Sequence, residues 1–296
     1  TLKSRDDMPT PVDGSGAVTY KATSPVLGLT WHAQDNLNMY INQGKGFETP
    51  TMVEAAYSRD ANNNFVEKFN PNLQASRSKH LELGTKWLAT PSTRIDAAWF
   101  QIDTANEIVA ALASNGKTAY DNAAKTKRDG FEFALRNQHT ANWRTQASAT
   151  FINATYQAGS ASYSPPNGNS LPAIPKRQAI ASVQWSDKGF AQMGQKPALG
   201  LEAGLDVVHR SSMWGNDANT ATSADYALAP SYTLFNARVR QRYQVGPARV
   251  EAFVGIDNLS NKNTVSSVIV NQSSKQYFEP GLPRAWVIGV QSQIPL

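Results

Sequence analysis

Polar and apolar residues alternate with a period of two along almost the whole chain, and this restricts the fold more than any other feature. In "LELGTKWLATPSTRIDAAWFQID", residues 81–103, Leu81, Leu83, Trp87 and Ala89 fall on one side of an extended chain, interrupted only by Thr85. Glu82, Gly84 and Lys86 fall on the other. After Pro91-Ser92-Thr93 the alternation resumes with Ile95, Ala97 and Trp99. Two strands joined by a tight turn therefore share one apolar face and one polar face. Helical periodicity is nearly absent; only "TPTMVEAAYS", ending at Ser58, is expected to wind a turn or two.

The same pattern predicts about eleven strands in all. The first two are expected near Ser24 to Ala33 and Leu37 to Phe47, and the third and fourth form the hairpin above, the fourth running to about Ala113. The fifth ends in "RDGFEFALRNQ", the sixth spans Trp143 to Gln157, the seventh is "RQAIASVQW" and the eighth runs from about Ala198 to Trp214. "YTLFNARVRQRY" and "ARVEAFVGIDN" follow, and in the last, "RAWVIGVQSQIPL", Trp286, Ile288, Val290, Ile294 and Leu296 share a side. Connections after the odd-numbered strands read as short, those after the even-numbered ones as long and rich in Asn, Ser, Gly and Pro. A soluble sandwich has no reason to sort its loops by length, whereas a transmembrane β-barrel keeps short turns on one side of the membrane and long loops on the other.

The aromatic residues point the same way. Trp31, Trp87, Trp143, Trp185 and Tyr243 each lie within about four residues of a predicted short turn, as an interfacial girdle requires. The apolar side then meets lipid, and Glu82, Lys86, Glu132, Arg136, Glu202, Asp206, Arg238, Arg240, Arg249 and Glu251 line a wet lumen. In a soluble sheet these would be ordinary solvated charges. The mean hydropathy of -0.44 is no objection. No run approaches 18 apolar residues, which excludes membrane helices, but a spanning strand needs only ~9–11 residues and is half polar.

Composition narrows the function. The charge of +5 comes from scattered Lys and Arg, so a nucleic-acid partner is not expected, and the lack of cysteine removes disulfides and thiolate metal sites. No nucleophile elbow, zincin motif or phosphate-binding loop is present, so the chain does not read as an enzyme. The start, "TLKSRDDMPTPVDGSG", lacks the basic and apolar regions of a signal peptide, and the expectation is a mature fragment of a longer protein.

With these features in hand, "LNMYINQGKGFETPTMVEAAY", "NPNLQASRSKHLELGTKW", "KRDGFEFALR", "YTLFNARVRQRY", "VGIDNLSNKNT" and "YFEPGLPRAWVIGVQ" together resemble TonB-dependent outer-membrane receptors, especially the ferric-siderophore type. They occur in family order and cover the chain from Ser24 onward. The resemblance implies an all-β transmembrane antiparallel β-barrel, with this chain as the C-terminal half of a 22-stranded barrel whose plug domain is absent here. Residues 1–23 are expected to be an extracellular loop segment and 24–296 the barrel part. The implied activity is binding of a ferric siderophore at the surface of a Gram-negative cell and TonB-coupled import through the outer membrane. Iron enters only as part of the cargo, and no cofactor is expected. The partners are the siderophore, TonB acting through the plug, and outer-membrane lipid with lipopolysaccharide. One departure is the ending "QIPL", where the family usually closes on an aromatic residue; Leu296 keeps the strand face, but Pro295 forfeits an edge hydrogen bond.

Carried over residue by residue, the resemblance makes Glu82 of "LELGTKW" and Glu132 of "GFEFAL" lumen carboxylates that hold plug arginines, roughly 10 Å apart by strand spacing. The plainer reading is two hydrated lumen charges. Haem receptors of the family carry a histidine between boxes that correspond here to Phe47-Glu48-Thr49-Pro50 and Asn70-Pro71-Asn72-Leu73, and none lies between them. His32, His80, His139 and His209 are too dispersed to predict a metal site. Aromatic and cationic groups on the outer loops suit a ferric chelate: Tyr57, Arg59, Tyr120, Arg210 and Trp214, with Lys125, Lys127, Tyr163, Tyr226 and Tyr277 as further candidates. Each is more often a loop anchor, and the basic ones could equally meet lipopolysaccharide phosphates. The competing functions are a passive porin or diffusion channel, which lacks the motif series, and a soluble all-β binding module. Strands cut from a larger closed sheet would also expose two unpaired edges.

Overall fold

The computed structural model describes residues 15–60, 62, 64–160, 163–190 and 198–294. Pro295 and Leu296 of the C-terminal reading, and the first part of the 1–23 segment, lie outside them. Eleven strands form one antiparallel sheet in sequence order. They are β1 (Val26–Gln34), β2 (Leu37–Glu48), β3 (Ser76–Thr90), β4 (Thr93–Ser114), β5 (Lys117–Gln138) and β6 (Trp143–Ala158). Next come β7 (Arg177–Ser186), β8 (Gly200–Arg210), β9 (Tyr232–Val245), β10 (Ala248–Asp257) and β11 (Ala285–Gln293). Among the described residues β1 pairs only with β2 and β11 only with β10, so both outer edges of the sheet are open. Among the described residues the one helix, α1 (Met52–Ala55), is the turn expected near Thr51, whose side chain caps it in a box with Glu54.

The loop-length rule holds with two exceptions. The connection after β4 is not long: Asn115 and Gly116, both at positive φ (51° and 73°), close β4 and β5 into a tight hairpin. Asn-Gly is the pair that a type I′ turn demands, because both central residues need φ above zero. The length expected of a loop went instead into the strands, which span 22 residues each and run well past any bilayer. The connection after β7, in turn, is not short, since β7 ends at Ser186 and β8 begins at Gly200. The expected eighth strand also stops at Arg210, and Met213–Trp214 pairs separately with Leu228–Ala229.

The apolar face is bare. Leu29, Trp31, Met39, Ile41, Leu83, Trp87, Trp143, Val183, Leu205, Val239, Tyr243, Val254, Ile288 and Val290 are all exposed on the outward side. A soluble protein does not leave a face of this extent to water. Ile41, Leu83, Trp99, Phe131 and Phe151 sit opposite one another in register across five strands. Trp99, Phe131 and Phe151, with Phe235 and Trp286, form a second exposed aromatic set. They stand roughly seven to ten residues from the short-turn level, close to the ~9–11 that span a bilayer. The sequence reading identified only the turn-side set.

Burial is concentrated at the opposite end from the short turns. Tyr156, Leu171, Ala123 and Ala154 form one buried cluster, and Met213, Ala229 and Val265 another. The long loops therefore fold onto each other and onto the strand ends, while the sheet itself has no second layer packed on it.

Candidate functional site

Two regions can bear function: the polar inner wall and the loop cluster at its outer mouth. On the wall, three inward aromatic residues stand directly across from glycines: Tyr40 from Gly84, Phe100 from Gly130 and Phe253 from Gly289. A β-carbon at any of these glycines would collide with the facing ring, so each ring covers its neighbour's backbone instead of projecting inward. The Tyr40 hydroxyl is thereby placed to donate to Glu82 Oε1 at 2.5 Å, and the Lys86 ammonium lies 5.7 Å from the centre of the same ring.

Glu82 and Glu132 both face inward. Glu82 pairs in register with Phe100, whereas Glu132 pairs with Ala98, two residues along the same strand. The offset widens the expected separation to about 12 Å between strand positions. With Lys86 and Asp96 they border a cavity of about 310 Å³. Among the described residues Glu132 has no hydrogen-bond or ion-pair partner, while Glu82 has the tyrosine.

A denser charge cluster lies farther round the wall. Arg242, nearly buried, donates to Glu202 Oε1 at 2.5 Å and to Glu251 Oε2 at 2.6 Å. Arg240 stands 3.7 Å from Glu202 and 4.0 Å from Glu251. Register explains this: Glu202 pairs with Arg240, and Arg242 with Glu251, on three adjacent strands. Nearby, the Arg144 guanidinium packs 3.9 Å from the Phe190 ring centre and donates to Gln184. The lumen charges read from alternation include Glu202, Arg240 and Glu251 but not Arg242, which bridges two of them. Apolar residues also stand on this polar wall: Ile180, 54% exposed, and Val208 share an inward cavity with Arg136 and Asp206.

At the mouth, Asp217 is the centre of a network drawn from four chain segments. The Tyr156 hydroxyl donates to Asp217 Oδ1 at 2.5 Å, and Asn271 Nδ2 donates to Oδ2. Asn271 also reaches the Ala110 carbonyl at 2.8 Å and the Tyr163 hydroxyl at 3.2 Å, from a positive φ that asparagine tolerates. Burial pushes the Asp217 carboxyl up, opposed by the hydrogen bonds from Tyr156 and Asn271 and by the charge of Arg59. Burial likewise raises the Tyr156 phenol, with the Asp217 charge adding to it. A second knot joins the Tyr277 hydroxyl to Asp225 at 2.9 Å and to Asn216 at 3.4 Å. No buried side-chain polar atom lacks a partner among the described residues, so these knots brace the loops.

The candidate loop residues divide accordingly. Arg59 pairs with Asp121 and lies 5.2 Å from the Tyr163 ring centre, so these two candidates meet. Tyr57 instead stacks with Phe65 at 5.1 Å, with Lys117 near its ring. Burial raises the Tyr120 phenol, and its carbonyl accepts from Asn70. Arg210 lies over the Tyr232 ring, Trp214 is in the short ladder with Leu228, and Tyr226 is exposed. Lys125 and Lys127 sit on β5, outside the mouth cluster. Each histidine ring is within hydrogen-bonding distance of a nearby side chain: His32 of Asn38, His80 of Ser78, His139 of Thr145 and His209 of Thr233. Asp217, Asn271 and Asp225 were not anticipated, because loop asparagines and aspartates carry no periodic signal.

Residues 3–259 match the family described as TonB dependent receptor-like, beta-barrel. Among solved structures, the chain is similar to BauA, the ferric preacinetobactin receptor from Acinetobacter baumannii, at 20% identity and TM-score 0.65, covering 92% of this chain and 36% of that one. It is similar to the ferric citrate transporter FecA at 21% identity and TM-score 0.67, covering 92% and 38%. It is also similar to the copper transporter OprC at 16% identity and TM-score 0.70, covering 98% and 42%. The chain thus spans less than half the length of each of these three structures. At these identities the likeness concerns the fold.

Proposed function

This chain belongs to the TonB-dependent receptor β-barrel family, and from that premise we propose that it forms part of the barrel of an outer-membrane receptor that binds a ferric siderophore and imports it with TonB-coupled energy. The family consists of transport receptors of the Gram-negative outer membrane. The observation that carries the reading is the division of one continuous sheet into an exposed apolar outer face and a charged inner wall, closed at one end by braced loops. Such a wall suits passage of a polar cargo across hydrocarbon. At the mouth, Arg59 and the half-buried Tyr163 offer the cationic and aromatic surfaces that bulky oxygen-rich chelates bind. Iron is then cargo, and the barrel supplies no catalytic step. Glu132, unpaired among the described residues, is the first candidate to receive a plug cation, with Glu82 as the second.

The test uses the full-length receptor in a strain lacking its gene. Growth under iron limitation is scored on individual iron-loaded siderophores, with and without TonB. Rescue by one chelate class only when TonB is present is the expected result. Uptake that persists without TonB and saturates with no chelate would instead describe a diffusion channel.

A further inference from the structure

The sequence holds two Asn-Gly pairs, Asn115-Gly116 and Asn167-Gly168. Both are exposed on the long-loop side, and at both glycines the space where a β-carbon would stand is empty. Such a pair can react with itself. With no side chain to crowd it, the glycine nitrogen can approach the side-chain carbonyl carbon of the asparagine and close a five-membered ring.

The structure separates the two pairs. The Gly168 N–H donates to the Tyr156 carbonyl at 2.8 Å, and the next residue, Asn169, is tied by its side chain to the Asp217 carbonyl at 2.8 Å. The nitrogen that would attack is therefore held as a donor inside the braced loops.

Among the described residues neither the Gly116 N–H nor the Asn115 side chain has a hydrogen-bond partner. The turn that holds them must open before the ring can close, and it stands at the end of the ladder. Ser114 opposite Lys117 is the last pair of β4 with β5, so opening disturbs little else. Opening also releases Asn115 from a φ of 51°, which an L residue adopts only at a cost in energy.

We propose that Asn115 is a site of spontaneous covalent modification, converting with time to aspartate and isoaspartate. Solvent base takes the Gly116 amide proton, and the nitrogen bonds to Asn115 Cγ. The Cγ–Nδ2 bond breaks, and Nδ2 takes up a proton and leaves as ammonia. Water then opens the cyclic imide. Cleavage of the new bond to Cγ gives aspartate, whereas cleavage of the original peptide bond gives isoaspartate, whose main chain runs through the side chain and gains one carbon. Water is the sole co-reactant, and nothing is oxidised or reduced.

Either product places a negative charge two residues from Lys117, whose ammonium pairs with Glu67. Isoaspartate does more, because a two-residue type I′ turn has no room for an added main-chain carbon. On the other side of the turn, the Ala113 N–H donates to the Asn271 carbonyl at 3.1 Å, and the Ala113 carbonyl accepts from the Ser273 N–H at 2.9 Å. Distortion of the tip thus reaches the bonds that tie the hairpin to the β10–β11 loop. None of this depends on the identity of the cargo.

The experiment ages the full-length receptor at neutral and at mildly alkaline pH, then weighs its proteolytic peptides, with electron-transfer fragmentation to tell aspartate from isoaspartate. Asn115 should convert faster than Asn167 by about tenfold or more, a ratio set by the need to break the Tyr156 bond before Gly168 can react. Its rate should rise with pH. In the urea-unfolded chain the two rates should converge. Equal rates in the folded receptor, or faster conversion of Asn167, overturn the site. So does a ratio that persists on unfolding, which would assign the difference to the flanking residues. Hydrogen exchange reads the consequence: the isoaspartate-bearing fraction should lose protection at Ala113 and Ser273, whereas Asn115→Asp, which adds the charge without the extra carbon, should keep it. Unchanged protection in the isoaspartate fraction overturns the link from the tip to the loop.

Discussion

Ala97 and Ala98 are consecutive residues on opposite faces of β4, and one charge placed at each measures what those faces touch. Ala97 faces outward between Thr85 and Phe133, midway along its strand between Ile95, which pairs with Trp87, and Trp99. Ala98 faces inward between Gly84 and Glu132. Arginine on a lipid face near the bilayer midplane costs about 2–4 kcal/mol in a membrane barrel. Ala98→Arg places its guanidinium opposite Glu132, beside a cavity of about 310 Å³. A cross-strand pair of opposite charge contributes about 0.2–1 kcal/mol. The two variants should therefore differ by roughly 3 kcal/mol, about a hundredfold in the folding equilibrium. Both substitutions have the same composition, so strand propensity cancels. Urea titration of the full-length receptor in lipid vesicles gives the difference directly. Equal destabilisation by the two variants, or a larger loss for Ala98→Arg, would refute the assignment of the apolar face to hydrocarbon.

Three further outcomes are expected. Gly84→Ala drives its new methyl into the Tyr40 ring, costing about 1–3 kcal/mol by overpacking; the same titration should show most of the loss recovered in Gly84→Ala/Tyr40→Ala, and additive effects would contradict the contact. Arg242→Met strands Glu202 and Glu251 with only the more distant Arg240, a loss of about 1–3 kcal/mol for partly hydrated carboxylates; adding Glu202→Gln and Glu251→Gln should restore stability, and no recovery removes the bridging role. For Asp217 the folded pKa is raised above its ordinary 3.8, so the folded loops bind the extra proton and their stability falls as pH rises through the raised value. Hydrogen-exchange protection at Tyr156 and Asn271, with the intrinsic pH dependence of exchange divided out, should be higher at the acid end of that window than at neutral pH, and Asp217→Asn should flatten the trend; an unchanged trend in the variant would refute the linkage.

The sheet was legible because its signal is repeated. Leu81, Leu83 and Trp87 against Glu82 and Lys86 state a face in one short stretch, and the same statement recurs in each strand. What escaped was information not carried by alternation. The Asn115-Gly116 hairpin was visible as a dipeptide but was overridden by the expectation of a long loop. Trp99, Phe131 and Phe151 are apolar residues among others in sequence, and only register reveals them as neighbours at one level. Arg242 was not among the lumen charges read from alternation, and its double pairing depends on the stagger of β8, β9 and β10. The Asp217 network joins residues up to 161 positions apart through irregular backbone, where nothing local marks the partner.

The tyrosine and two phenylalanines that lie against Gly84, Gly130 and Gly289 have a consequence for anything that moves past the inner wall. Bulky side chains that would otherwise stand up from the surface are folded flat into recesses of the adjoining strand. The bore keeps its width there while the wall still fills its own gaps, and a body sliding along it meets low relief at these places.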